Sequence, residues 1–147
     1  MDDDPAIPHG LMRALHDAPY RFIAATSATE ALEVLRHESV DVVVSDEQMP
    51  EISGSEFLSY VRRLYPSVIR IILTGHTSVQ SALKAINDGW IYQYLHKPCD
   101  PMDLVAVIHN ALVLRSFMLA DEGPHLLMPA DDQEKLLEEL ARRIAGN

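Results

Sequence analysis

The sequence predicts an α/β domain built on a parallel sheet, and three observations carry that prediction. Short runs of β-branched and aliphatic residues alternate with capped amphipathic segments over residues 1–119. The links between them are short, which suits right-handed crossovers that lay each strand parallel to the last. Asp46, Thr74 and Lys97 stand at or just past the C-terminal ends of three runs, where open α/β sheets carry their chemistry.

Residues 8–17 predict a short helix with Leu11, Met12 and Leu15 inward, and Pro8 suits only its first turn. Tyr20 to Ala25 alternates and is β-rich, which predicts a strand. Ser27-Ala28-Thr29-Glu30 is a capping box opening a helix with Ala31, Leu32, Val34 and Leu35 inward, ending near Glu38. Val40 to Ser45 is an apolar strand leading into Asp46, and Pro50 keeps it from running on.

Ser53-Gly54 is turn-like, and a helix follows from about Ser55 to Tyr65, where Pro66 stops it. Its inward residues are Phe57, Leu58, Val61 and Leu64. Val68 to Leu73 is a buried strand ending at Thr74-Gly75. Thr77-Ser78-Val79-Gln80 is a second capping box, starting a helix that runs to about Asp88 with Gly89 as its C-terminal cap. Ile91 to Leu95 is the next strand, broken by Lys97-Pro98.

Asp100 caps a long helix with Pro101 at its first position and Leu104, Val105, Ile108, Ala111, Leu112 and Phe117 on its buried face. Residues 120–130, with Gly123-Pro124 and Pro129, read as a linker. Asp131 caps a C-terminal amphipathic helix within residues 131–147, with Leu136, Leu137, Leu140 and Ile144 along one face. That pattern suits packing back on the body and binding a partner equally well.

Composition narrows the function. A chain of 147 residues is long enough for one domain with a real core. The net charge of -10 argues against a nucleic-acid surface, which needs clustered Lys and Arg. Cys99 is the only cysteine, so neither a disulfide framework nor a cysteine zinc site is expected. No uninterrupted apolar run approaches the ~18–20 residues of a membrane span. The acidic start Met1-Asp2-Asp3-Asp4 is unlike a signal peptide's basic one. The expectation is a soluble cytoplasmic protein with neither nucleic acid nor membrane as partner.

The polar strand ends suggest chemistry. Asp46, Thr74 and Lys97 can converge on one shallow pocket, and Asp2 and Asp3 could close a further corner. Two carboxylates at 4 Å repel by about 4 kcal/mol at an effective dielectric of 20. Lys97 offsets part of that, and a hard cation such as Mg2+ would offset the rest. The same cation would neutralise an incoming phosphoryl group, so that in-line attack by a carboxylate could give an aspartyl phosphate.

The chain resembles the receiver domain of bacterial two-component response regulators (the CheY-like family). Four pieces carry the resemblance: Met1-Asp2-Asp3-Asp4-Pro5, Val42-Val43-Val44-Ser45-Asp46-Glu47-Gln48-Met49-Pro50, Ile71-Ile72-Leu73-Thr74-Gly75 and Tyr94-Leu95-His96-Lys97-Pro98. They occur in family order over residues 1–119. The resemblance implies a flavodoxin-like doubly wound parallel sheet of order 2-1-3-4-5 with helices on both faces. One departure stands out: of the strand that precedes the acidic pair in the family, only Met1 remains. His125-Leu126-Leu127-Met128 is a candidate to replace it, from this chain or a second copy.

The resemblance also implies roles. Asp46 would be the phosphoacceptor, and Asp3 a direct Mg2+ ligand with Asp2 acting through water. The carbonyl of Gln48 would be a further ligand. Thr74 would be the switch hydroxyl, Lys97 the phosphate partner and Tyr94 the aromatic that changes rotamer. His76 stands where family members tune phosphoryl lifetime. The Lys97–Pro98 bond would be cis. The implied donor is a sensor histidine kinase or phosphotransfer protein, the output a downstream protein partner, with a homodimer open. Such a chain promotes transfer to its own aspartate and turns over no external substrate. The alternative is a non-phosphorylated pseudo-receiver working as an interaction module.

Overall fold

The computed structural model describes residues 1–75, 79–88, 91–121 and 128–146. His76, Thr77, Ser78, Gly89 and His125 to Leu127 lie outside the described residues, and with them the second capping box's start, that helix's C-terminal cap and most of the candidate replacement strand.

The apolar runs become strands where they find partners. Strands β1 (Val42–Asp46), β2 (Ile69–Thr74) and β3 (Gln93–His96) form a parallel sheet in that order. β1 pairs with β2 from Val42↔Ile69 to Asp46↔Leu73, and β2 with β3 from Ile71↔Gln93 to Thr74↔His96. The register brings Asp46, Thr74 and the residue before Lys97 to one edge. Among the described residues the sheet has three strands, so the expected five-strand order is present only in its last three members.

The helices are α1 (Ala6–Ala14), α2 (Ala28–His37), α3 (Gly54–Leu64), α4 (Val79–Asn87), α5 (Pro101–Asp121) and α6 (Ala130–Ile144). They sandwich the sheet. On one face α2, α3 and α4 build a core around Leu32, Phe57, Leu58, Val61 and Ile72. On the other, α1 and α5 cover Ile69 and Ile71 with Leu15, Leu104, Ile108 and Ala111. Caps form as their sequences predict: Ser27 Oγ accepts from the Glu30 amide at 3.1 Å, and the Asp100 carboxylate from the Met102 amide at 2.8 Å. Ser53 caps α3 by accepting from the Glu56 amide at 3.2 Å.

Four expectations are corrected. The first helix starts and stops earlier than residues 8–17, with Pro8 inside it. Asp131 is not the cap of α6: the helix begins at Ala130 behind Pro129, without a side-chain cap. Phe117 is 69% exposed, because α5 outruns the sheet that buries its first turns. Residues 21–25 form no strand.

The last correction has a cause in backbone pairing. A strand needs a ladder, and among the described residues the backbone beside this segment is that of Met1 and Asp2. The Met1 amino group donates to Val44 O at 2.7 Å, the Asp46 amide to Met1 O at 2.9 Å, and the Asp2 amide to Ala25 O at 3.1 Å. Met1 and Asp2 thus sit between residue 25 and the end of β1. Ahead of them lies a cavity of about 350 Å³, lined from both sides by residues 19–25 and 39–44.

Two helices resolve questions that sequence left open. α6 packs back: Leu136, Leu140 and Ile144 are buried in the α2–α3 core, Arg143 pairs with Glu56 at 2.7 Å, and the Tyr60 hydroxyl donates to Glu139 at 3.0 Å. Residues 101–120 of α5, with mean hydropathy 1.5, are long and apolar enough to cross a membrane by length and composition alone. In the fold that helix lies on the sheet, and Arg115 reaches Asp41 at 2.8 Å.

Candidate functional site

Asp46 closes β1, and its position is set from three directions. β2 fixes the strand through the paired register, Met1 O holds the Asp46 amide, and the turn that follows folds over its carbonyl. In that turn the Glu47 carbonyl accepts from the Gly54 amide at 2.9 Å, and the Glu47 carboxylate takes the Ser55 amide and hydroxyl at 3.2 and 2.7 Å. The carboxylate therefore sits at the N-terminus of α3, where unpaired amides welcome negative charge.

Gly54 is the residue that sequence reading passed over as a turn former. A Cβ there would collide with the Asp46 carbonyl and stand 2.8 Å from Ser45 Oγ. The signal was a glycine at the first position of a helix that must cross directly behind the acid-bearing strand end. Ser45 was likewise unassigned; it is fully buried and its hydroxyl donates to Asp46 O at 2.8 Å.

Three carboxylates come together. Asp2, Asp3 and Asp46 offer oxygen atoms that all lie within 4.8 Å of one another. Asp2 is buried and Asp3 exposed. Lys97 Nζ bridges two of them, at 2.9 Å from Asp2 and 3.2 Å from Asp46. Burial works to lower the ammonium's pKa, yet the bonds to Asp2 and Asp46 and their charges outweigh it and hold the pKa above its ordinary value. The Met1 amino group beside them is pushed down to about 6 by burial, with the charges of Asp2 and Asp46 opposing.

The remaining sequence-predicted residues fall around this cluster in varied degree. Thr74 is buried at the end of β2, where its carbonyl accepts from the Lys97 amide at 2.9 Å. The Lys97–Pro98 bond is cis. Tyr94 is half-buried on β3, and burial, helped by the charge of Glu47, raises its hydroxyl pKa. Gln48 lies exposed in the turn after Asp46.

Hard oxygen donors at this spacing suit a small divalent cation that keeps several waters. Lys97 is a monovalent stand-in, balancing one of three negative charges. The arrangement can therefore hold a cation and a second anion together above the Asp46 carboxylate.

A family model described as a response regulator receiver domain matches residues 1–109. The hydrogenase transcriptional regulatory protein HoxA of Cupriavidus necator is 34% identical over 112 residues, covering 76% of this chain and 23% of that protein. The chain thus spans about a quarter of the length of this curated relative. Among solved structures, the signal receiver domain of an HD domain-containing protein from Pseudomonas fluorescens Pf-5 superimposes with a TM-score of 0.72 at 36% identity, over 78% of this chain and 92% of that one. The beryllofluoride-activated NtrC4 receiver domain dimer matches with a TM-score of 0.71 at 30% identity, over 78% and 93%.

Proposed function

From the premise that the chain belongs to the response regulator receiver family of two-component signalling, we propose that Asp46 is its phosphoacceptor. The observation that carries this is the meeting of Asp2, Asp3 and Asp46 within 4.8 Å, with Lys97 across them.

An Asp46 carboxylate oxygen attacks the phosphorus of a phosphohistidine in line. A P–O bond forms as the P–N bond breaks, and its electron pair leaves on the imidazole, which takes up a proton. Asp3, Asp46 and the Gln48 carbonyl, with Asp2 acting through water, would hold Mg2+, which would supply charge neutralisation for the phosphoryl oxygens. Lys97 leaves its carboxylate partners to pair with one such oxygen, and the Thr74 hydroxyl donates to another. Tyr94 then repacks as the Thr74 end of β2 moves, shifting the population of two surface states.

The donor in this reading is a sensor histidine kinase or phosphotransfer protein, and the readout a downstream protein in the cytoplasm. Self-association is supported by the exposed apolar residues Val113, Leu114, Phe117 and Met118 on α5, and by the dimeric NtrC4 relative. The chain turns over no external substrate.

Acetyl phosphate with Mg2+ tests the assignment: the unaltered chain takes up label and Asp46→Asn takes up none. Undiminished labelling of the variant overturns it. The pseudo-receiver reading is favoured by one observation, the Lys97 ammonium that already satisfies Asp2 and Asp46. Beryllofluoride separates the two, since only a competent site binds it in a Mg2+-dependent way.

A further inference from the structure

The turn that runs from Glu47 to Gly54 is closed by the residue that opens it. The Glu47 amide donates to Leu73 O at 3.2 Å, which ties the turn to β2, and the Glu47 carbonyl accepts from the Gly54 amide at 2.9 Å. The Glu47 carboxylate accepts from the Ser55 amide at 3.2 Å and from the Ser55 hydroxyl at 2.7 Å. Inside the turn Met49 and Ile52 are buried, and Ile52 joins the core of α2 and α3. Gln48 thus stands between a residue fixed by backbone and side chain and a residue fixed by burial. A backbone carbonyl has no rotamer of its own, because its oxygen lies in the rigid peptide plane shared with the next residue. Whatever fixes residues 47 and 49 therefore aims the Gln48 carbonyl.

Helix capping does not account for the Glu47 carboxylate. Ser53 already caps α3, with its hydroxyl oxygen accepting from the Glu56 amide at 3.2 Å and its carbonyl from the Phe57 amide at 2.9 Å. The shorter of the two Glu47 carboxylate bonds goes to a side-chain hydroxyl and leaves the helix backbone untouched. That bond spans the mouth of the turn.

We propose that Glu47 is a positioning residue for the cation site, its carboxylate latched to Ser55 so that the turn holds the Gln48 carbonyl in one orientation. It acts through the Gln48 backbone. The proposal rests on the reading of Asp46 and its cation given above, and it adds two residues to that reading, Glu47 and Ser55. Side chains that orient metal ligands without touching the metal commonly change its affinity by about 10–100-fold.

The test is an Mg2+ titration of the full 147-residue chain, followed by backbone amide NMR shifts with no phosphoryl donor present. Glu47→Ala should raise the Kd for Mg2+ by about tenfold, whereas Glu47→Gln, which keeps an oxygen for Ser55, should stay within about threefold of the parent. Ser55→Ala removes one hydroxyl, leaves the helix cap in place and should weaken Mg2+ in the same direction, so it carries the test if Glu47→Ala does not fold. Leu140→Ala serves as the stability control: its side chain is buried on α6, outside the turn, and the variant should melt lower with unchanged Mg2+ affinity. Without Mg2+, exchange of the Gly54 amide should quicken in Glu47→Ala as the turn opens. Parent-like Mg2+ binding by Glu47→Ala and Ser55→Ala overturns the proposal. So does Glu47→Gln binding as weakly as Glu47→Ala, which would assign the effect to charge alone. Equal weakening by Leu140→Ala overturns it too, by assigning the effect to stability. A parent chain without Mg2+-dependent shifts overturns the cation reading and this proposal with it, whereas a parent that binds beside unaffected variants overturns this proposal alone.

Discussion

On its β2 flank, β1 is paired residue for residue from Val42 to Asp46, against a strand whose Ile71 and Ile72 are fully buried. On its other flank, among the described residues, Met1 bonds its backbone, and Val42, Val43 and Val44 stay half-buried. One strand thus has a finished side and an unfinished one. The finished side carries the stability. The unfinished side carries part of the site, since Asp2 reaches Lys97 and Asp46 only through the stub that Met1 anchors.

The largest effect is expected where the finished side meets the site. Gly54→Ala drives a methyl group into the Asp46 carbonyl, and neither the strand nor the helix start can yield without breaking pairs. The expected loss is about 3 kcal/mol or more, beyond ordinary surface substitutions. Calorimetric melting should show it as a drop of roughly 6–12 °C for a chain of this size. Ile72→Ala, which leaves a cavity under β2, should cost about 3 kcal/mol. Equal melting of Ile72→Ala and the parent would break the claim that this flank holds the fold.

How much of this was legible in the sequence depends on what each feature needs. The strands at 42–46, 69–74 and 93–96 were readable because an apolar run declares its own burial. Residues 20–25 carry an equally good pattern, but alternation reports which way side chains point and not whether a partner backbone is there. The same gap hid the return of α6, whose apolar face could not name its own receptor. At the site, Asp46, Thr74 and Lys97 were legible as polar residues at strand ends and Asp2 and Asp3 as a further acidic corner, to which the family pattern added roles. Gly54 was hidden because its role is an absence, the Cβ that would strike Asp46 O.

A middling effect is expected from pH, and it belongs to the unfinished side. The Met1 amino group has an ordinary value of 8.0 and a folded value of about 6, depressed by burial. Between those values the unfolded chain binds more protons than the folded one, so stability rises with pH. The cost of the buried ammonium is full below about pH 6 and gone above about pH 8. The gain across that window should be about 2 kcal/mol, given ~1.4 kcal/mol per unit. Urea melts at fixed temperature check it. A flat profile there would mean that Asp2 and Asp46 compensate the charge more fully than burial opposes it.

The charge balance at the cluster predicts a smaller, diagnostic change. Lys97→Met removes the ammonium that bridges Asp2 and Asp46, leaving carboxylates with like charge at close range. The variant should melt lower than the parent without added cation, by about 1–2 kcal/mol. It should then regain more stability than the parent when MgCl2 is added, because the cation no longer competes with an ammonium. Equal responses to MgCl2 would separate Lys97 from the cation's place.

The smallest effect should come from the far wall of the cavity beside β1. Ile23 lies in the segment that faces β1 across the cavity, and its side chain is 41% exposed where Ile72 has none. Both are isoleucines in β-rich stretches, so propensity predicts similar costs for truncation to Ala. Packing predicts otherwise: Ile23→Ala removes few buried contacts and should change stability by no more than about 0.5 kcal/mol. The comparison turns on the ratio of the two losses, which cancels the shared chemistry of the substitution. A ratio near one would mean that residues 21–25 are already packed as a strand in solution. A ratio of about six, as expected from 3 against 0.5 kcal/mol, marks residues 21–25 as a loosely packed segment outside the paired sheet.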